Sequence, residues 1–180
     1  MLVMNLTVAE ILRTTRGKLI CGEPGTNVRK ISTDSRTIYE DDLFVALNGE
    51  HFDGHDYLEE VHRFRAIGAV VSKRIATQLP MVIEVKDTLA ALGDIANCYR
   101  QHFHLPIIAI TGSNGKTTTK DMTSSVLSRR FSVFQSKKNY NNQIGIPLRL
   151  LQLEKSDEVA VLEIGTSQPG EIDRLSRIVE

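Results

Sequence analysis

Residues 107–121 read IIAITGSNGKTTTKD. An apolar run, Ile107–Ile110, leads into a glycine-bracketed loop, Gly112-Ser113-Asn114-Gly115, followed by Lys116, three threonines and a helical pattern. Strand, loop and helix in that order suit a phosphate. Glycines let the backbone curl so that several N–H groups point inward, and a helix N-terminus adds partial positive charge. Lys116 would bring a full charge to the terminal phosphates, and the Thr117 hydroxyl a ligand for magnesium. Thr111, Gly112, Ser113, Asn114, Gly115, Lys116, Thr117 and Thr118 are therefore the candidate nucleotide-binding residues. The spacing is shorter than G-x-x-x-x-G-K-[ST], which would need glycine where this chain has Ile110. The alternative is a glycine turn with a surface lysine.

Further along, VAVLEI (Val159–Ile164) carries one acid, Glu163, in an otherwise apolar run. A carboxylate left unpaired there would be costly, whereas a neighbouring strand of a phosphate-loop fold commonly ends in a magnesium-binding acid. Glu163 is thus the candidate metal partner of Thr117; a strand-end Glu in water is the plain alternative. Asp121 reads as a solvated helix acid. The stretch Lys138–Pro147 is rich in amides, which orient phosphates, waters or carbonyls without changing charge, or simply form a polar loop before a helix. Ser32-Thr33-Asp34-Ser35-Arg36 ends a strand with hydroxyls and an arginine, a set that could take a diphosphate or a uracil edge or form a capped turn. His51 and His55, with Asp53 and Asp56, have metal-like spacing only on a helix, which Gly54 interrupts; surface histidines near a turn are expected. Cys21 and Cys98 lack C-x-x-C spacing and read as buried small hydrophobes in a reducing compartment.

These residues need a scaffold. From Ile107 onward apolar strand runs alternate with amphipathic helical stretches, which predicts a parallel sheet with ligand at the strand C-terminal ends. Thr7 and Glu10 fit a capping box. Strands are expected at Lys18–Cys21, Val28–Thr33, Leu43–Leu47, Gly68–Ser72, Met81–Val85 and Phe131–Phe134. Helices are expected at Asp53–Arg65, from Asp87 to Pro106, from Lys116 through Arg129 and Arg130, at Pro147–Leu153 and after Pro169-Gly170. The fold class is α/β, a small mixed N-terminal domain (1–86) followed by part of a parallel-sheet, P-loop-type ATP-binding domain (87–180). Three strong strands in the second domain are fewer than such sheets hold, so a piece of a longer protein is expected. The 180 residues carry 22 basic and 22 acidic side chains. That balance argues against nucleic acid as a partner; no membrane span is visible, and a cytoplasmic protein is expected.

TGSNGKTTTKDM resembles the ATP loop of the Mur ligases, cytoplasmic enzymes that add amino acids to the peptidoglycan precursor. NYNNQIGIPL (Asn139–Leu148) and LEIGTSQPGEI (Leu162–Ile172) are similar to two further motifs of the branch that joins D-alanyl-D-alanine to UDP-N-acetylmuramoyl-tripeptide. STDSR (Ser32–Arg36), with FVALNGEHFDGHDY (Phe44–Tyr57), looks like its UDP-precursor domain. The resemblance implies ATP and Mg2+ as cofactors, with Lys116 on the β/γ-phosphates, Thr117 and Glu163 on the metal, and Asn141 and Asn142 beside the γ-phosphate. Lys116, Glu163, Asn141 and Asn142 would then be the catalytic set. Ser32, Thr33, Asp34, Ser35 and Arg36, with Asn48 and Gly49, would lie near the UDP end. The implied reaction passes through an acyl phosphate. The family also carries a carbamylated lysine and a third domain that match nothing in residues 1–180, so this chain alone is expected to be inactive. A monomer is expected. The alternatives are the ligase adding the third stem-peptide residue, folylpolyglutamate synthase, a P-loop kinase or NTPase, and a non-catalytic nucleotide-binding module.

Overall fold

β1 (Leu6–Thr7) runs straight into α1 (Val8–Thr15) through the expected capping box: Thr7 accepts from the Glu10 amide, and the Glu10 carboxylate accepts from the Thr7 amide at 2.8 Å. The computed structural model describes residues 4–49, 52–136 and 140–180. The chain divides into two compact units, Met1–Cys98 and Tyr99–Glu180.

In the first unit follow β2 (Lys18–Cys21), β3 (Asn27–Val28), β4 (Lys30–Ser32), β5 (Asp42–Val45), α2 (Leu58–Arg63), β6 (Gly68–Val71), β7 (Val82–Glu84) and α3 (Thr88–Arg100), the last crossing the division between units. β1 and β3 pair antiparallel, while a five-stranded sheet has the order β2-β7-β6-β5-β4. β4, β5, β6 and β7 are mutually parallel and β2 is antiparallel at the edge. β5 and β6 are buried along their whole length, as central parallel strands must be. Phe44, Ala69, Val71 and Val82 from the sheet pack with Leu58 and Val61 from α2. The parallel register puts the ends of β4, β5 and β6 on one edge, so residues 33–36, 46–49, 52–57 and 72–73 emerge together.

In the second unit, β8 (Ile107–Ile110), α4 (Lys116–Leu127), β9 (Val133–Gln135), α5 (Gly145–Leu150), β10 (Val159–Glu163) and α6 (Glu171–Val179) alternate as the pattern predicts. The sheet order is β8-β10-β9, both pairs parallel. β10 is the middle strand and is buried throughout, which explains its apolar run. Residues 111–115, 136, 140–144 and 164–170 therefore lie at the same edge, the ligand edge of an open α/β sheet.

Several expectations need correcting. Residues 53–65 are not one helix; a 3₁₀ turn, Gly54–Tyr57, precedes α2, because the Asp53 carboxylate accepts the His55 amide and tightens the entry. Arg129 and Arg130 lie beyond α4 in a turn, and Phe131 precedes β9. α4 also turns its polar side inward: Lys120 and Ser124 are buried, while Met122 is 66% and Val126 73% exposed. Cys21 is exposed because β2 is an edge strand, and Cys98 is half-buried. Among the described residues no helix is long and apolar enough to cross a membrane.

Candidate functional site

The loop between β8 and α4 has the backbone its glycines predict. Gly112 and Gly115 adopt φ of +146° and +76°, values that side chains resist, and Gly115 begins α4 without a side-chain cap. The first amides of α4 are thus left for a ligand. Lys116 is folded over the loop, its Nζ donating to the Gly112 carbonyl at 2.7 Å.

Glu163, at the end of β10, is 5% exposed. The parallel pairing sets Glu163 beside Ile110, the residue that opens the loop. Its Oε2 accepts from Thr117 Oγ1 at 2.7 Å and its Oε1 from Asn141 Nδ2 at 3.0 Å. Three segments distant in sequence therefore converge on one carboxylate. A hydroxyl and a carboxylate are hard oxygen donors, and magnesium usually takes one or two carboxylates with the rest from phosphates and water. The donor set fits that ion. Asn142 holds the turn into α5. Its Oδ1 accepts from the Ile144 and Gly145 amides at 3.1 and 2.8 Å and starts α5. Asn139 and Lys138 lie outside the described residues.

Sequence reasoning passed over the supports of this cluster. The Glu163 amide donates to Ser136 Oγ at 3.0 Å, and buried Lys120 donates to the Ser136 carbonyl at 3.2 Å. Glu171 opens α6 and accepts from the Ser167 and Gln168 amides at 2.6 and 3.0 Å and from Gln143 Nε2 at 2.9 Å; Arg174 holds the other side of Gln143. The Ser167 amide first, then Gln143 and the Gln168 amide, hold the Glu171 carboxyl at about 2. The unfolded chain takes up this proton first, so the hold on loop 166–168 is complete above the ordinary value of 4.5 and is lost as pH falls toward about 2. Glu171→Gln is expected to abolish that dependence, as read from amide exchange of Ser167 and Gln168 across the window. Glu171 stands in the LEIGTSQPGEI motif, but only the fold reveals which amides it holds.

In the first unit, Ser32–Arg36 is a capped turn that also lines a cleft. Asp34 accepts from the Arg36 amide at 3.0 Å and pairs with its guanidinium at 2.9 and 2.8 Å; Arg36 holds the Asp34 carboxyl below its usual range. Ser32 is buried, bonded to Asp34. Ser35 Oγ donates to Glu60 at 2.9 Å. Thr33, Asp34, Ser35 and Arg36 face Phe52, Tyr57 and Glu60 across a cleft of about 580 Å³. Asn48 and Gly49 form the turn leading into that wall, with the Gly49 amide donating to the Phe52 carbonyl at 2.9 Å. Phe52 and Tyr57, both in the FVALNGEHFDGHDY segment, present exposed rings that were not singled out from sequence. His55 is not a surface histidine: it is 3% exposed, held by Asp53 and by the Ser72 amide. His51 lies outside the described residues.

Comparison with known proteins agrees with both halves. The "Mur ligase family, catalytic domain" model matches residues 27–100, and the "Mur ligase middle domain" model matches residues 110–180. UDP-N-acetylmuramoyl-tripeptide–D-alanyl-D-alanine ligase of Bacillus subtilis (strain 168) is 41% identical over 180 residues, covering 98% of this chain. The chain spans 39% of that relative's length. The crystal structure of MurF from Acinetobacter baumannii superposes with a TM-score of 0.93 at 37% identity, over 98% of this chain and 39% of that one. MurF ligase from Thermotoga maritima, solved in complex with ADP, superposes with a TM-score of 0.78 at 33% identity, over 84% of this chain and 35% of that one. With both domain models matched in chain order, and the glycine loop and its acid lying inside the second, the chain belongs to the Mur ligase family.

Proposed function

We propose that this chain supplies the precursor-binding and ATP-binding parts of a UDP-N-acetylmuramoyl-tripeptide–D-alanyl-D-alanine ligase of peptidoglycan biosynthesis, acting in the cytoplasm. Residues 1–86 take the UDP end of the precursor, and residues 87–180 take ATP with Mg2+. The observation that carries this reading is the meeting of Thr117, Asn141 and Glu163 beside the Lys116 loop, together with the named relatives. A non-catalytic descendant would have no need to keep an acid there.

In the proposed reaction the stem-peptide carboxylate attacks the γ-phosphorus of ATP, giving an acyl phosphate and ADP. The amine of D-alanyl-D-alanine then adds to the acyl carbon, and phosphate leaves as the amide forms. Lys116 and the loop amides neutralise and orient the phosphates, which is the main protein contribution to phosphoryl transfer. Thr117 and Glu163 would hold Mg2+, which when bound supplies charge neutralisation at the transferred group. Asn141 holds Glu163 and lies beside the reacting phosphate.

Calorimetric titration of the chain, as a monomer, with UDP-MurNAc-tripeptide and separately with MgATP tests this. Both are expected to bind, each at its own half, and no pentapeptide product is expected from the chain alone. Binding of neither ligand would overturn the reading, and turnover would overturn the expected inactivity.

A further inference from the structure

We propose that His55, as an imidazole carrying its proton on Nδ1, is a positioning residue that fastens the aromatic wall of the cleft to the end of β6. This deepens the reading of that cleft as the uridine-nucleotide end.

The tautomer follows from the partners. The Ser72 backbone N–H donates to His55 Nε2 at 2.9 Å. An amide can only donate, so Nε2 is an acceptor and carries no proton. The ring's proton therefore sits on Nδ1, facing Asp53 Oδ1. That carboxylate also takes the His55 amide at 3.0 Å and Lys73 Nζ at 2.6 Å. Lys73 first, then the His55 amide, hold Asp53 far below the ordinary carboxylate range, so it remains an acceptor in mild acid. The ring is thus clamped on both nitrogens, with its side chain 1% exposed.

The clamp joins two chain segments. Phe52, Gly54 and Tyr57 line the cleft on one side. His55 lies on the other side, where Asp56, Glu59, His62 and Arg63 line a separate cavity of about 640 Å³ with it. Because His55 is not among the cleft's lining residues, it acts on a ligand only through the wall. Removing the Nε2 acceptor leaves the Ser72 amide without its partner and frees the turn from β6.

The test uses UDP-N-acetylglucosamine as probe. His55→Ala should bind it about tenfold more weakly than wild type, the effect of one buried amide losing its acceptor. His55→Gln, whose Oε1 can accept the Ser72 amide, should stay within about threefold of wild type. His62→Asn should bind as wild type does. In the ligand-free chain, exchange protection of the Ser72 amide should fall in His55→Ala and persist in His55→Gln. If His55→Ala fails to fold, His55→Asn, with its shorter amide, takes its place in both measurements. Undiminished affinity in folded His55→Ala overturns the proposal, as does a loss in His55→Gln equal to that of His55→Ala. Failure of the probe to bind, with Ser72 protection lost in His55→Ala and kept in His55→Gln, sinks the uridine reading and supports the clamp.

Discussion

Lys116→Ala is expected to weaken MgATP binding to this chain by about a hundredfold or more, with almost no change in stability. The two halves of that expectation have different causes. Truncating a charged partner of a phosphate costs about 2–5 kcal/mol, and about 1.4 kcal/mol is tenfold in affinity. Lys116 bonds to the Gly112 carbonyl of its own loop. It is only half-buried and packs into no core, so its removal should change folding by about 0.5 kcal/mol or less. Lys116→Arg should not restore affinity, because a planar fork does not replace a compact ammonium over a tight loop. Glu163→Gln gives the complementary signature: ATP binding should become insensitive to magnesium, while the amide retains an acceptor for Thr117. Isothermal titration with and without magnesium, paired with thermal denaturation, reads all of these. Wild-type MgATP affinity in folded Lys116→Ala would remove the loop from nucleotide binding.

Such a sharp expectation is possible because this part of the site is local in sequence. An apolar strand, two glycines, a lysine and a threonine follow one another, and the backbone geometry of Gly112 and Gly115 depends on their own φ values. Glu163 was legible for another reason: a lone charge in a strand buried from Val159 to Glu163 needs partners. Residue chemistry marked Asn141 only as one amide among many, and the family resemblance singled it out together with Asn142. That Asn141 is the one bonded to Glu163 depends on which side of the 141–145 turn faces β10, a property of tertiary folding. The helix after the loop shows the limit of periodicity most clearly. Spacing identifies which residues of α4 share a face, yet it does not say which face turns inward. Here the buried face carries Lys120, whose long stem is covered while its ammonium reaches the Ser136 carbonyl. His55 was misjudged because it is buried and its partner is the Ser72 amide, 17 residues away. Glu60 and Glu171, likewise, become informative only once Ser35 and the Ser167 amide are placed against them.

Gly54→Ala should be among the most damaging single-methyl changes in the first unit. Gly54 is where the turn after β5 crosses its own strand end: its amide donates to the Leu47 carbonyl at 2.7 Å. A Cβ there would stand 2.7 Å from the Leu47 oxygen, 2.8 Å from the Leu47 nitrogen and 2.9 Å from the Ala46 carbonyl carbon. All three are backbone atoms of a buried segment, so no side chain can swing aside. Two effects oppose each other. Replacing glycine at the start of a helical turn gains about 0.4–1 kcal/mol by restricting the unfolded chain. Overpacking into fixed backbone costs about 1–3 kcal/mol or more, and the clash wins. Against a total stability of about 5–15 kcal/mol, a net loss of about 2 kcal/mol is large. It should also be selective, because the displaced turn carries Phe52 and Tyr57, and UDP-precursor affinity should fall further than MgATP affinity. Gly25→Ala is the control, since a Cβ there meets nothing within 4 Å. Urea denaturation of the two variants, followed by titration with each ligand, separates the effects. Equal stability of Gly54→Ala and Gly25→Ala would show that the strand end yields. An equal loss of both affinities would show that the damage spreads beyond the cleft wall. The expected result, a destabilised chain that still binds MgATP but has lost the uridine ligand, would tie precursor recognition to one close backbone crossing.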